Sequence, residues 1–163
     1  MPLAPDPETI HLADIAHALG NIGRFTGHGE TGYSVAQHAV HVSREVAAAG
    51  GSRAARRYAL MHDATEAYLA DLPGPVKLDL PGYRFAERRL DAVITDRFDI
   101  DPGPADREAV AAADRAITVW ELAVHLRDRE PPELAHEMRP IPDPDATERF
   151  LEAARELDIT PVR

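Results

Sequence analysis

Residues 58–72 read YALMHDATEAYLADL, an apolar helical stretch carrying four proton-exchanging side chains where a buried helix face should avoid them. His62 and Asp63 sit side by side among Leu60, Met61, Ala64 and Ala67. Glu66 follows His62 by four residues and so lies one turn further along the same face, while Asp71 comes nine after it, where the helix should fray before Pro73. Burying an ionised group without a partner costs several kcal/mol. Three carboxylates and an imidazole within ten residues therefore predict pairing, protonation or a bound metal, and a metal is the leading reading.

Working outward, Ser52 can cap the motif helix, and the DLPGP run at 71–75 closes it with prolines that cannot donate to a helix ladder. Upstream, Ser34 has Gln37 three residues on, a capping-box spacing that starts a helix running to about Ala49 and ended by Gly50 and Gly51. Val35, Ala39, Val42 and Val46 mark its buried stripe, and His38 borders that stripe, four residues before Val42. A histidine so placed is on its own more often a satisfied core residue than a ligand; the His-Asp pair downstream reverses that weighting. Further upstream lie a proline-rich leader at 2–7, a short amphipathic segment with Ile15 and Leu19, and GNIGRFTGHGETG at 20–32, which carries Arg24, Phe25 and His28. Long irregular segments inside compact domains are more often functional than decorative.

Downstream, Tyr83, Ala86, Leu90, Val93, Ile94 and Arg97 fall at helical spacing and predict a helix over about 82–98. After a turn signal at 99–104, a long helix from about Ala105 carries Val110, Ala113, Ile117, Trp120 and Val124 on one side, with Asp114 inside that apolar side. Glu121, seven residues on in similar phase, reads equally as a partner of the motif or as a surface carboxylate. A charged, proline-rich loop over 127–144 and a final helix over 146–157, docked through Phe150, Leu151, Ala154 and Leu157, complete the chain. With no hairpin signal and no repeat, the expectation is an all-α domain over 1–163, its core at about 11–126 and its C-terminal loop and docking helix at about 127–163.

Composition narrows the chemistry. The 163 residues include no cysteine, which excludes disulfides and thiolate sites and leaves only nitrogen and oxygen ligands for a metal. A formal charge of -10 opposes binding to a nucleic-acid polymer, whose affinity comes from neutralising phosphates, yet allows a small phosphorylated ligand held by one or two arginines. The absence of a signal-like N-terminus and of eighteen consecutive apolar residues leads to the expectation of a soluble cytoplasmic protein with no membrane contact.

His38, His62, Asp63 and Asp114 come from three expected helices. Two neutral imidazoles and two carboxylates would give a divalent ion four ligands of nearly balanced charge, with positions left for water and substrate. At these residues the sequence resembles the HD-domain metal-dependent phosphohydrolases, whose signature is H…HD…D, over about 14–121. Arg24, YSVAQH at 33–38 and HDATEAYLAD at 62–71 are most similar to the bacterial 5'-deoxynucleotidases and phage dATP triphosphohydrolases. The resemblance implies one divalent ion per chain (Co, Mn, Zn, Fe or Ni) and a homo-oligomer, dimer or hexamer. It implies hydrolysis of a small deoxynucleotide, foremost a triphosphate of dATP type to deoxynucleoside and tripolyphosphate. A monophosphatase is the alternative, and a catalytically inactive nucleotide-sensing module the alternative of another class. No histidine stands between Ala64 and Ala113, where two-metal members carry extra ones, which favours a single ion.

In the mechanism so implied, Glu66 and Asp71 divide proton transfer and water orientation, and Arg24 holds a non-bridging phosphate oxygen. Phe25 stands where related deoxynucleotidases carry Trp against the sugar, and His28 and Lys77 are expected near the phosphates. His17 is a candidate for a sugar or supporting contact; His11, His41, His125 and His136 are read as structural or solvated, and Trp120 as core.

Overall fold

Serine and acidic side chains at the helix starts, prolines in first turns and glycines between periodic segments divide the chain into helices. The computed structural model describes residues 5–28, 32–126, 129–138 and 142–162. The start of the leader, Gly29 in the glycine-spaced stretch, and Arg127 at the start of the 127–144 loop lie outside them. The helices are α1 (Leu12–Asn21), α2 (Val35–Ala48), α3 (Arg53–Met61), α4 (Glu66–Leu69), α5 (Gly74–Leu78), α6 (Pro81–Arg97), α7 (Pro104–His125) and α8 (Ala146–Glu156), with single 3₁₀ turns at Pro7–Thr9 and Arg24–Gly27. Among the described residues there is no strand, only an isolated antiparallel bridge between Gly23 and Ser34, so the fold is all-α as expected. No helix in them is long and apolar enough to cross a membrane.

The predicted caps form. Ser34 Oγ accepts from the Gln37 N–H at 3.2 Å and Ser52 Oγ from the Ala55 N–H at 3.0 Å. α8 is part of the main core rather than an addition to it: Phe150, Ala154 and Leu157 pack with Ile15, Leu19, Val35, Leu60, Leu90 and Ile94. The close approach of α1 to α8 needs Gly20, where a Cβ would run into the Thr147 hydroxyl. A second apolar cluster, Val42, Val46, Ala55, Ala59, Val110, Ala113 and Ile117, joins α2, α3 and α7. His38, His62 and Asp114 each lie within one turn of a member of this cluster, so it is the floor on which they stand.

Two local expectations are corrected. The motif stretch is not one helix: α3 ends at Met61, residues 62–65 form a turn, and α4 begins at Glu66. His62 Nδ1 donates to the Ala59 carbonyl at 2.7 Å, and the Ala64 and Glu66 N–H groups bond three residues back, to Met61 and Asp63. That tighter pattern keeps His62 and Thr65 at right-handed helical angles while interrupting the regular ladder. α4 then ends abruptly rather than fraying, at Ala70 with φ 65° and ψ 159°.

The second correction concerns α2, which is buried almost all round and not along a single stripe. Three of its polar side chains are held from outside the helix: Gln37 accepts from the Asp143 N–H at 3.0 Å, and Ser43 donates to the Arg56 carbonyl at 3.0 Å. Glu45 accepts from the Ala135 and His136 N–H groups at 3.1 and 2.7 Å. The described part of the 127–144 segment is a loop over the surface, as expected, tied down by Glu45 and by Leu134 and Met138 against the second cluster.

Candidate metal centre and its cavity

The end of α3, the first turn of α2 and the middle of α7 bring His62, His38 and Asp114 together, and their ligand atoms all lie within 4.8 Å of one another. Asp63, from the turn, stands beside this group of three, its Oδ2 3.3 Å from His62 Nε2 and 3.7 Å from His38 Nε2. Asp114 Oδ1 stands 3.2 Å from His38 Nε2 and 3.9 Å from His62 Nε2. Ligands bonded to one ion at about 2.1 Å are separated by roughly 3.0–4.2 Å, from adjacent to opposite positions. The four separations fall within that range.

The imidazoles are already oriented for a cation. His38 Nδ1 is 2.7 Å from Glu121 Oε1 and His62 Nδ1 is 2.7 Å from the Ala59 carbonyl, so both rings use Nδ1–H as donor. Each ring's Nε2 is left buried without a hydrogen-bond partner among the described residues, and both face Asp63 and Asp114. Two orphaned buried nitrogens aimed at two carboxylates fit a divalent ion, since an unpaired buried acceptor otherwise costs about 1–3 kcal/mol. Metal-free, the same charge draws in a proton. Burial and Arg24 both push His38 down, but Glu121 and Asp114 outweigh them and raise it to about 9. Burial works in the opposite sense on Asp114, where the two histidines prevail and hold its carboxyl well below the usual range.

Glu121 is fully buried and serves two partners, His38 on one oxygen and Arg24 on the other, with Arg24 Nε at 3.3 Å and Nη2 at 3.1 Å. Thr118 completes the α7 row: it accepts from Arg24 Nη2 at 3.2 Å and donates to Asp114 Oδ1 at 3.3 Å. Asp114, Thr118 and Glu121 are spaced i, i+4, i+7, the signal from which Thr118 could have been read. Of the two readings of Glu121, the supporting partner is what the structure places. Tyr33 carries no such signal; its hydroxyl is buried beside Glu121, and burial, then that carboxylate, push it far up.

Arg24 reaches Glu121 from a distorted turn. Phe25 and Thr26 both adopt left-handed angles, φ 57° and 54°, followed by Gly27 at 77°. For a β-branched threonine this is an outlier that costs of order 1–3 kcal/mol, and such strain collects at ligand-binding loops. Arg24 Nη1 faces Asp63 Oδ2 at 3.9 Å, and the guanidinium lies 5.3 Å from the centre of the Phe25 ring.

Beside this centre opens a cavity of about 740 Å³, within the range of small-molecule sites. Arg24, Phe25, His28, Asp63, Glu66, Asp71, Lys77 and Asp114 all line it, so the expected catalytic and substrate residues converge on one space. His38 and His62 stand at its edge through their contacts with Asp63 and Asp114. Glu66 is buried, 2 % exposed; burial, then Asp63 and Asp71, raise its carboxyl to about 8 against the pull of Lys77, whose Nζ lies 2.9 Å away. Lys77 also holds Glu87 at 3.1 Å, so its ammonium is shared between two carboxylates as it borders the cavity. Leu122 and Leu126 form an apolar wall that the sequence did not single out. His17 is exposed on α1 and does not line the cavity. Trp120 packs in the interior, His41 and His125 lie against the Tyr33 ring, and His136 packs on His41.

No protein-family model matches the chain. It is similar to the uncharacterized protein YfdR of Escherichia coli (strain K12), 46% identical over 95 residues that cover 58% of this chain and 51% of that one. An uncharacterized protein of Rhodobacter capsulatus is 39% identical over 120 residues, covering 69% and 61%. The chain thus spans between about half and three fifths of the length of the curated relatives it matches.

Proposed function

We propose that this chain is a metal-dependent phosphohydrolase of the HD type acting on deoxynucleotides, foremost on a deoxynucleoside triphosphate. The observation that carries the reading is the pair of buried, unpartnered Nε2 atoms of His38 and His62 facing Asp63 and Asp114 at the edge of a cavity that also holds Arg24, Glu66 and Asp71. His38, His62, Asp63 and Asp114 would hold one divalent ion. When bound, the ion supplies Lewis acidity toward a phosphoryl oxygen and toward water.

The chain's own residues divide the remaining work. Arg24, anchored through Nε and Nη2 to Glu121, presents Nη1 beside Asp63, where it can meet a non-bridging phosphate oxygen and offset charge that develops there. Glu66, whose carboxyl is pushed up by burial and then by Asp63 and Asp71, is the group placed to deliver a proton to the departing ester oxygen. Asp71, across the same cavity, orients water. The Phe25 ring supplies the apolar surface for the sugar, with Leu122 and Leu126 available to the base. Donor groups spread over Arg24, His28 and Lys77 suit several phosphates better than one.

The test is metal analysis of the purified protein, then incubation with deoxy- and ribonucleoside mono- and triphosphates and chromatographic separation of products. Intact tripolyphosphate from deoxynucleoside triphosphates is expected. Free phosphate from monophosphates alone would move the assignment to the deoxynucleotidase, and no hydrolysis by metal-loaded protein would overturn the enzyme reading.

A further inference from the structure

The Asp71 carboxylate forms no hydrogen bond among the described residues, although it lines the cavity. The backbone therefore sets the Cα–Cβ direction from which it starts. The residue before it, Ala70, has φ 65° and ψ 159°, a region that is essentially glycine's and costs an L side chain of order 1–3 kcal/mol. Two hydrogen bonds hold Ala70 there. Its N–H closes α4 on the Glu66 carbonyl at 2.9 Å, and its carbonyl accepts from the Tyr83 hydroxyl of α6 at 2.8 Å. Tyr83 does not line the cavity, and its ring faces Lys77 Nζ at 5.6 Å to the centroid.

We infer that Tyr83 is a positioning residue: its hydroxyl locks the strained Ala70 peptide and so aims Asp71 into the cavity. The inference deepens the proposed function and rests on Asp71 acting in that reaction. The carbonyl that Tyr83 holds belongs to the peptide group whose nitrogen is that of Asp71, so the bond fixes the plane from which the carboxylate departs. Without it, Ala70 can relax toward negative φ, and a rotation there swings Asp71 with it. The Glu66 bond remains in either state and cannot by itself hold the carbonyl.

Tyr83→Phe isolates this effect, because the ring and its face toward Lys77 stay while only the hydroxyl is lost. Compared with the full chain, this variant should keep its metal content and its KM, while kcat falls about fivefold, the rate equivalent of one hydrogen bond. Tyr83→Leu, which removes the ring as well, should show at least the same loss in kcat. Wild-type kcat in Tyr83→Phe alongside an inactive Asp71→Ala would overturn the inference and leave the enzyme reading standing. A loss of metal, or a loss confined to KM, would also overturn it. Full turnover by Asp71→Ala would remove the role of Asp71 itself and the inference with it.

Discussion

Glu121 Oε1 meets His38 Nδ1 at 2.7 Å while its other oxygen takes the Arg24 guanidinium, so one buried carboxylate orients both a candidate metal ligand and the candidate phosphate-binding arginine. Partners of this kind raise ligand basicity and fix the ring, and their loss typically weakens metal binding about 10–100-fold. Glu121→Gln should show a loss of that size in metal titrations, together with a rise in KM as Arg24 loses its anchor. Unchanged metal affinity would reduce Glu121 to a packing role.

Asp63→Ala removes the carboxylate nearest His62 Nε2, 3.3 Å away, and should abolish metal binding and turnover together. The wild-type protein should gain about 2.7 kcal/mol of stability at a metal concentration 100 times Kd; the variant should gain nothing, which thermal melts with and without metal will read. In the wild type, metal competes with the proton that holds His38 at about 9, so affinity should climb with pH and level off above that value.

His41, outside the candidate ligand set, supplies a pH dependence of its own. Burial, then His136 and Arg44, push its imidazole down from the ordinary 6.5 to about 3, with Glu121 pulling weakly the other way and His38 adding to the depression. His136, which faces it at 2.9 Å, is likewise lowered by burial and Arg44, against Glu45 and Glu137. A depressed imidazole binds fewer protons folded than unfolded, so its contribution to stability is complete above about 6.5 and is lost as pH falls toward about 3. Denaturant melts should show stability declining over that window, and His41→Gln should flatten the decline while costing about 1 kcal/mol at neutral pH through the lost His136 bond.

Lys77 pairs with Glu66 at 2.9 Å and restrains a carboxyl that its other neighbours push up. Lys77→Gln should let Glu66 rise further, moving the alkaline limb of the kcat profile to higher pH, as expected of a proton donor. An unchanged profile with a raised KM would assign Lys77 to the substrate phosphates instead.

Much of this was written locally. Helical spacing, serine caps and proline-glycine breaks act within a few residues, so the all-α class, the cap at Ser34 and the end of α2 follow from the chain alone. His38, His62, Asp63 and Asp114 were also legible, because a polar, metal-competent group on an apolar helix side is a local contradiction that needs a partner. The continuous motif helix was not, since its interruption depends on the His62 side chain taking the Ala59 carbonyl, a competition that periodicity does not register. The all-round burial of α2 was equally hidden: Gln37, Ser43 and Glu45 look like a surface face until residues far along the chain satisfy them.

What the sequence by itself determined, then, is which elements form and which side chains cannot stand alone. Only the tertiary structure decided their partners: that Glu121 serves His38 and Arg24, that Lys77 is divided between Glu66 and Glu87, and that Asp71 is aimed by a strained peptide held from α6. Those choices turn on distances between residues ten to nearly a hundred positions apart, and packing alone sets such distances.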